Sequence, residues 1–320
     1  MRRLHVLPDL SGGGAERLVL AHCRSRADVR VATVFGGGPL EAELPNAVLG
    51  ERRPGRPSLR AFLRLVEAAR AADVVHTHLF AGDLWGGLAA RLAGRPVVSH
   101  EHNVDVDEQA RHRAARQLSA RFPALTLAVS EAAARHSVAP RIVVVPNGVE
   151  LGRWAAPWRG GSGLLAVGRR VPQKGFDVLL RALPEGVQLR VVGEGPFAPE
   201  TPGVSWLGTR DDLPELFASA DALVVPSRWE GFGIVALEGM AAGTPVIASS
   251  VDGLRDLVGD AGVLVPPEDP VALREAITRV LGDRALRDTL SARGRARAQR
   301  YDLQQTFDSW ERAGREVVGG

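Results

Sequence analysis

Short apolar runs alternate with stretches of helical spacing along this chain, and the alternation runs through twice. Residues 4–7, 29–34, 73–76, 96–99, 125–129 and 141–145 read as strands. Residues 15–26, 58–71, 84–92, 107–121 and 131–138 have helical spacing or composition between them. Pro146-Asn147-Gly148 breaks the register, and the glycine-rich stretch 154–163 reads as a linker. The pattern then restarts, with strands at 164–167, 189–192, 204–207, 222–225, 246–248 and 263–265. A βαβα order requires parallel strands joined by right-handed crossovers. The fold class is therefore α/β: two doubly wound, Rossmann-like domains facing across a cleft, with ligands at the carboxyl ends of the strands. The boundaries fall at 1–150 and 151–300, with a helix at 301–320 crossing back to the first domain.

The chain has 320 residues, enough for two cores of ordinary size, and 45% of them are hydrophobic. Its pI of 9.9 overstates its basicity, because the net charge is only +3 and one Lys, one Tyr and one Cys leave little to titrate above neutrality. No nucleic-acid partner is implied. Residues 1–150 hold 20 Arg against 15 acids, so the excess of positive charge lies in the first domain. Cys23 is the sole cysteine, which excludes an intramolecular disulfide and a cysteine zinc cluster. His5, Pro8 and Asp9 interrupt the apolar N-terminus before it reaches the length of a leader. No run approaches the ~20 apolar residues of a membrane span. These features lead to the expectation of a cytoplasmic protein.

Lys174 is the only lysine among forty basic residues. In a chain that uses arginine everywhere else, it marks a place suited to a compact ammonium rather than a planar fork. It lies in Gly168-Arg169-Arg170-Val171-Pro172-Gln173-Lys174-Gly175, between a strand and a helix. A strand, a turn bearing Arg and Lys, and a helix form a phosphate-site layout. A second stretch, Pro226-Ser227-Arg228-Trp229-Glu230-Gly231-Phe232-Gly233-Ile234-Val235, follows another strand and ends in a buried-type helix. Gly231 and Gly233 let backbone approach a ligand, and free amides at the helix start favour a diphosphate. Glu230 can meet sugar hydroxyls, and Glu238, two turns in, can accept both hydroxyls of a ribose. Ser130 and Ser227 lack the glycine-flanked elbow of a serine nucleophile.

These segments, with Val192-Gly193-Glu194-Gly195-Pro196, Ala220-Asp221 and Ala242-Gly243-Thr244-Pro245-Val246, resemble the C-terminal half of the retaining glycosyltransferases of family 4 over residues 164–265. The resemblance implies the GT-B fold and a nucleotide-sugar donor, with no metal and no cofactor. It implies that Arg169 and Lys174 bind the donor diphosphate, Glu230 the transferred sugar and Glu238 the ribose. The backbone of Gly231, Phe232, Gly233, Ile234 and Val235 would meet sugar and phosphates, and the region of Leu207 the base.

The first half resembles the family more loosely. Gly12, Gly13 and Gly14 follow the first strand and match its first glycine-rich loop, while Gly36-Gly37-Gly38 reads as a flexible turn. The resemblance points to His100 as the residue beside the transferring sugar. His76, His78, His100 and His102 at two strand ends could hold a metal, but Arg169 and Lys174 already supply counter-charge to a diphosphate, and none is expected. Asp105-Val106-Asp107 precedes a helix and reads as capping rather than as a manganese site. Two basic stretches, Arg52, Arg53, Arg56, Arg60 and Arg64, then Arg111, His112, Arg113, Arg116 and Arg121, suit an anionic or lipid-linked acceptor or an acidic membrane surface. The segment 36–57 is short for the family, which bears on the acceptor pocket.

The expected activity is transfer of a hexose-type sugar from a nucleoside diphosphate sugar, UDP-linked, to an acceptor hydroxyl, with retention and without metal. His100, Arg169, Lys174 and Glu230 form the expected catalytic set. A sugar phosphorylase, a nucleotide-sugar epimerase and a non-catalytic nucleotide-sugar binder are the alternatives.

Overall fold

The computed structural model describes residues 1–44, 46–51, 57–102 and 113–319. The chain divides into two compact units, Met1–Pro146 with Phe307–Gly320, and Asn147–Thr306. Each contains a six-stranded, fully parallel sheet.

In unit 1 the strands are β1 (Arg3–Leu7), β2 (Val29–Thr33), β3 (Val74–His78), β4 (Val97–Glu101), β5 (Leu125–Ala128) and β6 (Ile142–Val144). They lie in the order β2-β1-β3-β4-β5-β6. The order reverses between β1 and β3, so the loops leaving these two strands diverge and open a crevice at their carboxyl ends. Helices α1 (Gly14–Ser25), α2 (Leu59–Arg70), α3 (Gly87–Leu92), α4 (Arg113–Ser119) and α5 (Glu131–His136) supply the crossovers. Ser58 and Ser130 cap α2 and α5, each hydroxyl accepting a main-chain N–H, at 3.1 and 3.0 Å.

In unit 2 the strands are β7 (Leu164–Val167), β8 (Leu189–Val192), β9 (Val204–Trp206), β10 (Ala222–Val225), β11 (Val246–Ser249) and β12 (Val263–Val265), ordered β12-β11-β10-β7-β8-β9. The reversal falls between β7 and β10. Helices α6 (Phe176–Ala182), α7 (Leu213–Ser219), α8 (Ile234–Ala242), α9 (Asp252–Val258), α10 (Pro270–Gly282) and α11 (Arg284–Ala298) cover both faces. Strands buried on both faces read as unbroken apolar runs, which is why 164–167 and 222–225 show no alternation. A final helix, α12 (Leu303–Gly319), starts in unit 2, and from Phe307 onward belongs to unit 1. No helix among the described residues is long and apolar enough to cross a membrane.

Three local expectations change. The stretch 154–163 is no linker: Trp154 is 2% exposed, stacked edge-on against Phe217, and Trp158 Nε1 donates to the Ala220 carbonyl at 2.7 Å. The helix expected at 84–92 begins earlier, at Leu79, and passes through a widened π turn at Gly82–Gly86. Glycines at 82, 86 and 87 weaken the helical signal, and tertiary contact overrides their low propensity. Gly38 is packed rather than merely flexible, since a Cβ there would lie 2.3 Å from the Leu10 carbonyl oxygen.

Candidate active site

The loops that leave β7 and β10 meet at the reversal of the second sheet. After β7 the chain makes one 3-10 turn, Pro172–Lys174, and Gly175 then adopts φ +63°, ψ 24° to start α6. A side chain at 175 would also run into the Pro226 carbonyl oxygen, 2.0 Å from an ideal Cβ, so only glycine fits. The two loops are bound to each other. Arg228 N donates to the Gln173 carbonyl at 2.8 Å, and Gln173 Nε2 to the Trp229 carbonyl at 3.1 Å. Arg228 also donates to the Pro172 carbonyl at 2.6 Å, to both oxygens of Asp177 at 2.9 and 2.8 Å, and to Glu268 at 2.9 Å. These bonds from the guanidinium hold the Asp177 carboxyl below the usual carboxylate range.

This clasp brings Lys174 and Glu230 together, 56 residues apart in sequence: Lys174 Nζ donates to Glu230 Oε1 in a close ion pair. Ser227 Oγ donates to the same oxygen at 3.0 Å, and Glu230 is 9% exposed. Arg169, five residues before Lys174, is exposed and pairs with no carboxylate among the described residues. Past Glu230, Gly231, Phe232 and Gly233 are buried, and Gly233 caps α8 with φ +95°. Among the described residues no side chain caps that helix, and no acid occupies its first turn, so the amides of Ile234 and Val235 form the positive end of a nine-residue helix. Glu238 lies in the second turn, partly exposed. Leu207 follows β9, its N–H held by the Val191 carbonyl at 2.8 Å. Arg169, Lys174, Glu230 and the start of α8 thus share one end of the sheet. Gln173, Ser227 and Arg228 were missed from sequence as parts of this arrangement. The signal for Arg228 was the shared register of two loops, visible only once β7 and β10 are neighbours.

In unit 1 the loop Gly12–Gly14 leaves β1 at that sheet's own reversal. Gly12 has φ +89°, and Gly13 stands at the N-cap of α1. His100 is not at a rim. It is 2% exposed, its Nε2 lies 2.9 Å from His76 Nδ1, and the Trp310 ring meets it edge-on at 4.6 Å. The strand period of two accounts for this burial: His76 and His78, like His100 and His102, fall on one sheet face, which α1 and α12 cover. Among the described residues six imidazoles collect there, including His5 and His22, neither of which was singled out from sequence. His22 Nδ1 meets His5 Nε2 at 3.0 Å, His5 Nδ1 meets His78 Nε2 at 2.7 Å, and His78 Nδ1 meets His102 Nε2 at 3.0 Å. Burial, before any neighbouring charge, pushes His76 down to about 3 and His22 and His102 to about 4, and holds His5, His78 and His100 well below the ordinary range. On the other face of the sheet, toward which Thr77 and Ser99 point, Asp83 on the π turn accepts from Thr77 at 2.6 Å and Ser99 at 2.7 Å, and burial raises its carboxyl to about 7. Asp105, Asp107, Arg111, His112, Arg52, Arg53 and Arg56 lie outside the described residues.

Two family models match the chain, one described as Glycosyltransferase Family 4 over residues 12–153 and one as Glycosyl transferases group 1 over 161–283. A D-inositol 3-phosphate glycosyltransferase of Xylanimonas cellulosilytica is 34% identical over 358 residues, covering 91% of this chain and 85% of that protein. The chain belongs to glycosyltransferase family 4. An uncharacterized glycosyltransferase of Methanocaldococcus jannaschii is 34% identical over 174 residues, 48% of this chain, and the match spans only 43% of that relative's length. The crystal structure of Anabaena Alr3699/HepE in complex with UDP and glucose superposes with a TM-score of 0.85 at 24% identity, covering 98% of each chain. The two parallel six-stranded sheets of this family 4 glycosyltransferase are thus those of the GT-B fold.

Proposed function

We propose that this glycosyltransferase moves a hexose-type sugar from a UDP-linked donor to an acceptor hydroxyl with retention of configuration. One observation carries the reading: Lys174, paired with Glu230 and Ser227, sits at the switch point of the second sheet beside exposed Arg169 and the uncapped start of α8. Two cations and helix amides converge where a doubly wound sheet takes its ligand. When a diphosphate arrives, Lys174 turns from Glu230 to phosphate oxygen, and Glu230 is released to accept from sugar hydroxyls. Glu238 takes the ribose, and Leu207 flanks the base. The bond from anomeric carbon to phosphate oxygen breaks while the acceptor oxygen bonds on the same face. The acceptor's proton goes to the departing phosphate, whose growing charge Arg169 and Lys174 stabilise. No metal takes part at the diphosphate, because those cations and amides supply its counter-charge. The UDP and glucose found with the Anabaena protein support this choice of donor.

The Gly12–Gly14 loop, at the matching position in unit 1, serves the acceptor. On α2, Leu59 and Leu63 are 74% and 57% exposed beside exposed Arg60 and Arg64, a mixed apolar and basic face that suits an acidic membrane surface carrying the acceptor.

A thermal-shift panel of UDP-, GDP-, TDP- and ADP-sugars tests the donor, since a ligand that binds only the native state raises its melting temperature. UDP-sugars are expected to give the largest rise, and a larger rise with another base replaces UDP. The product's anomeric configuration by NMR tests retention. Adding Mg²⁺ or Mn²⁺ should leave the rate within about twofold, and strict dependence on either refutes the metal-free diphosphate site. Equal flotation with neutral and anionic vesicles refutes the membrane contact.

A further inference from the structure

The imidazole cluster of unit 1 plays no part in the donor chemistry just described. Ring nitrogens of His78, His100 and His102, one from each, all lie within 4.8 Å of one another. These residues come from two adjacent strand ends, where β3 and β4 pair His78 with His100 in parallel register. His78 and His100 are buried and His102 is the partly exposed member. Each inner ring is steered by another histidine: His5 Nδ1 stands 2.7 Å from His78 Nε2, and His76 Nδ1 stands 2.9 Å from His100 Nε2. With those nitrogens engaged, His78 and His100 each keep Nδ1 for another partner. His78 Nδ1 is 3.0 Å from His102 Nε2.

We propose that His78, His100 and His102 bind one transition-metal ion of the zinc class, with His5 and His76 as the outer partners that fix ring tautomer and tilt. A tetrahedral ion with nitrogens at about 2.0–2.1 Å sets them roughly 3.3 Å apart, close to the 3.0 Å between His78 Nδ1 and His102 Nε2, while a His100 nitrogen lies within 4.8 Å of both. Imidazole is the donor that suits Zn²⁺, Co²⁺ and Ni²⁺, and a ligating histidine whose second nitrogen is hydrogen-bonded is the usual arrangement. Three neutral ligands leave the ion its double charge, and its fourth position, on the side of His102, takes water or a solvent anion. The competing arrangement is a metal-free series in which His22, His5, His78 and His102 hydrogen-bond head to tail, the two inner rings, His5 and His78, each donating once and accepting once.

Titration of the full chain with CoCl₂ separates the two. The expected result is one saturable equivalent per chain with the visible d–d absorption of low-coordinate cobalt, displaced by ZnCl₂. His102→Ala, at the partly exposed position, should lose saturable binding while far-UV circular dichroism stays unchanged. His5→Gln should weaken binding 10- to 100-fold as an outer partner. His136→Ala, on α5 and outside the cluster, should leave it unaltered. A folded wild-type chain with no saturable Co²⁺ or Zn²⁺ site overturns the proposal, as does binding that survives unchanged in both His102→Ala and His78→Gln. UDP titration of the same samples reads the donor site separately, so failure of one assignment is distinguishable from failure of the other.

Discussion

The two sheets have the same size, the same parallel sense and the same reversal of strand order, yet they are filled differently. In unit 2 the strands bring Leu164, Leu189, Ala222, Val224 and Ile247 into one apolar core, and the charged groups wait at the strand ends. In unit 1 the strands themselves carry His5, His76, Thr77, His78, Ser99 and His100, all buried, with Asp83 and Glu101 beside them. A shared topology therefore fixes where ligands enter but not where polarity resides. Unit 2 keeps its charged groups on two loops that clasp each other, while unit 1 has built polar groups into the interior and paired most of them with one another, leaving His22 Nε2 and His76 Nε2 without a hydrogen-bond partner among the described residues. Loops over an apolar core can change partners without disturbing the fold, whereas a buried polar network is costly to leave half-paired.

If unit 2 carries the donor chemistry, its largest effect should come from the loops. Lys174→Ala is expected to lower kcat by ~10²–10³, as loss of one electrostatic donor does, with the melting temperature little changed. Lys174→Arg should recover only part, because a planar fork does not fit the point held by Glu230 and Ser227. Wild-type turnover by Lys174→Arg would place the chemistry elsewhere. Next in size is the clasp. Arg228→Ala removes bonds to Asp177, Glu268 and the Pro172 carbonyl, and about 2 kcal/mol is expected after allowing for its partial exposure. Denaturant melts measure it, and an unchanged donor KM would show that the clasp does not position Lys174.

Unit 1 should announce itself through pH. The Asp83 carboxyl titrates near 7 when folded, above its ordinary 3.8, so the folded chain holds a proton that the unfolded chain has released. Between those values stability falls as pH rises, and the whole penalty is present above 7. From pH 6 to 8 this amounts to about 1.4 kcal/mol, and Asp83→Asn, which still accepts from Thr77 and Ser99, should remove it. Parallel melting curves for both proteins across that range would contradict the assignment. Smallest are the caps. Ser58→Ala in unit 1 and Asp269→Ala in unit 2, the latter accepting from Val271 and Ala272 at 3.0 Å, should each cost about 1 kcal/mol. Amide exchange should report each loss in its own unit, and spreading of either to the other would show one cooperative body.

Legibility in the sequence follows the same division. The strands of unit 2 announced themselves as unbroken apolar runs, Lys174 and Glu230 stood out as a lone lysine and a glycine-flanked glutamate on loops, and Glu238 by its place two turns into the helix that follows. What failed was whatever depends on tertiary contact. Trp154 looked like linker because its partner, Phe217, lies 63 residues away in sequence. The π turn was hidden by its glycines. The histidine pairs were read as strand ends turned toward ligand, when the period of two only says that they share a face. Which face is covered depends on α12, and neither His5 nor His22 carries any local mark of joining them.

That covering helix has a consequence for how the protein is made. Phe307 and Trp310, each 2% exposed, close over the histidine face of a sheet whose last strand ends at Val144. During synthesis at roughly 5–20 residues per second, the first unit to leave the ribosome waits about 10–30 seconds for the ring that seals it. Unit 2 has all its own strands and helices through Ala298 before that ring emerges. Of the two units, the one translated earlier is therefore the later to be finished, because Phe307–Gly320 completes it.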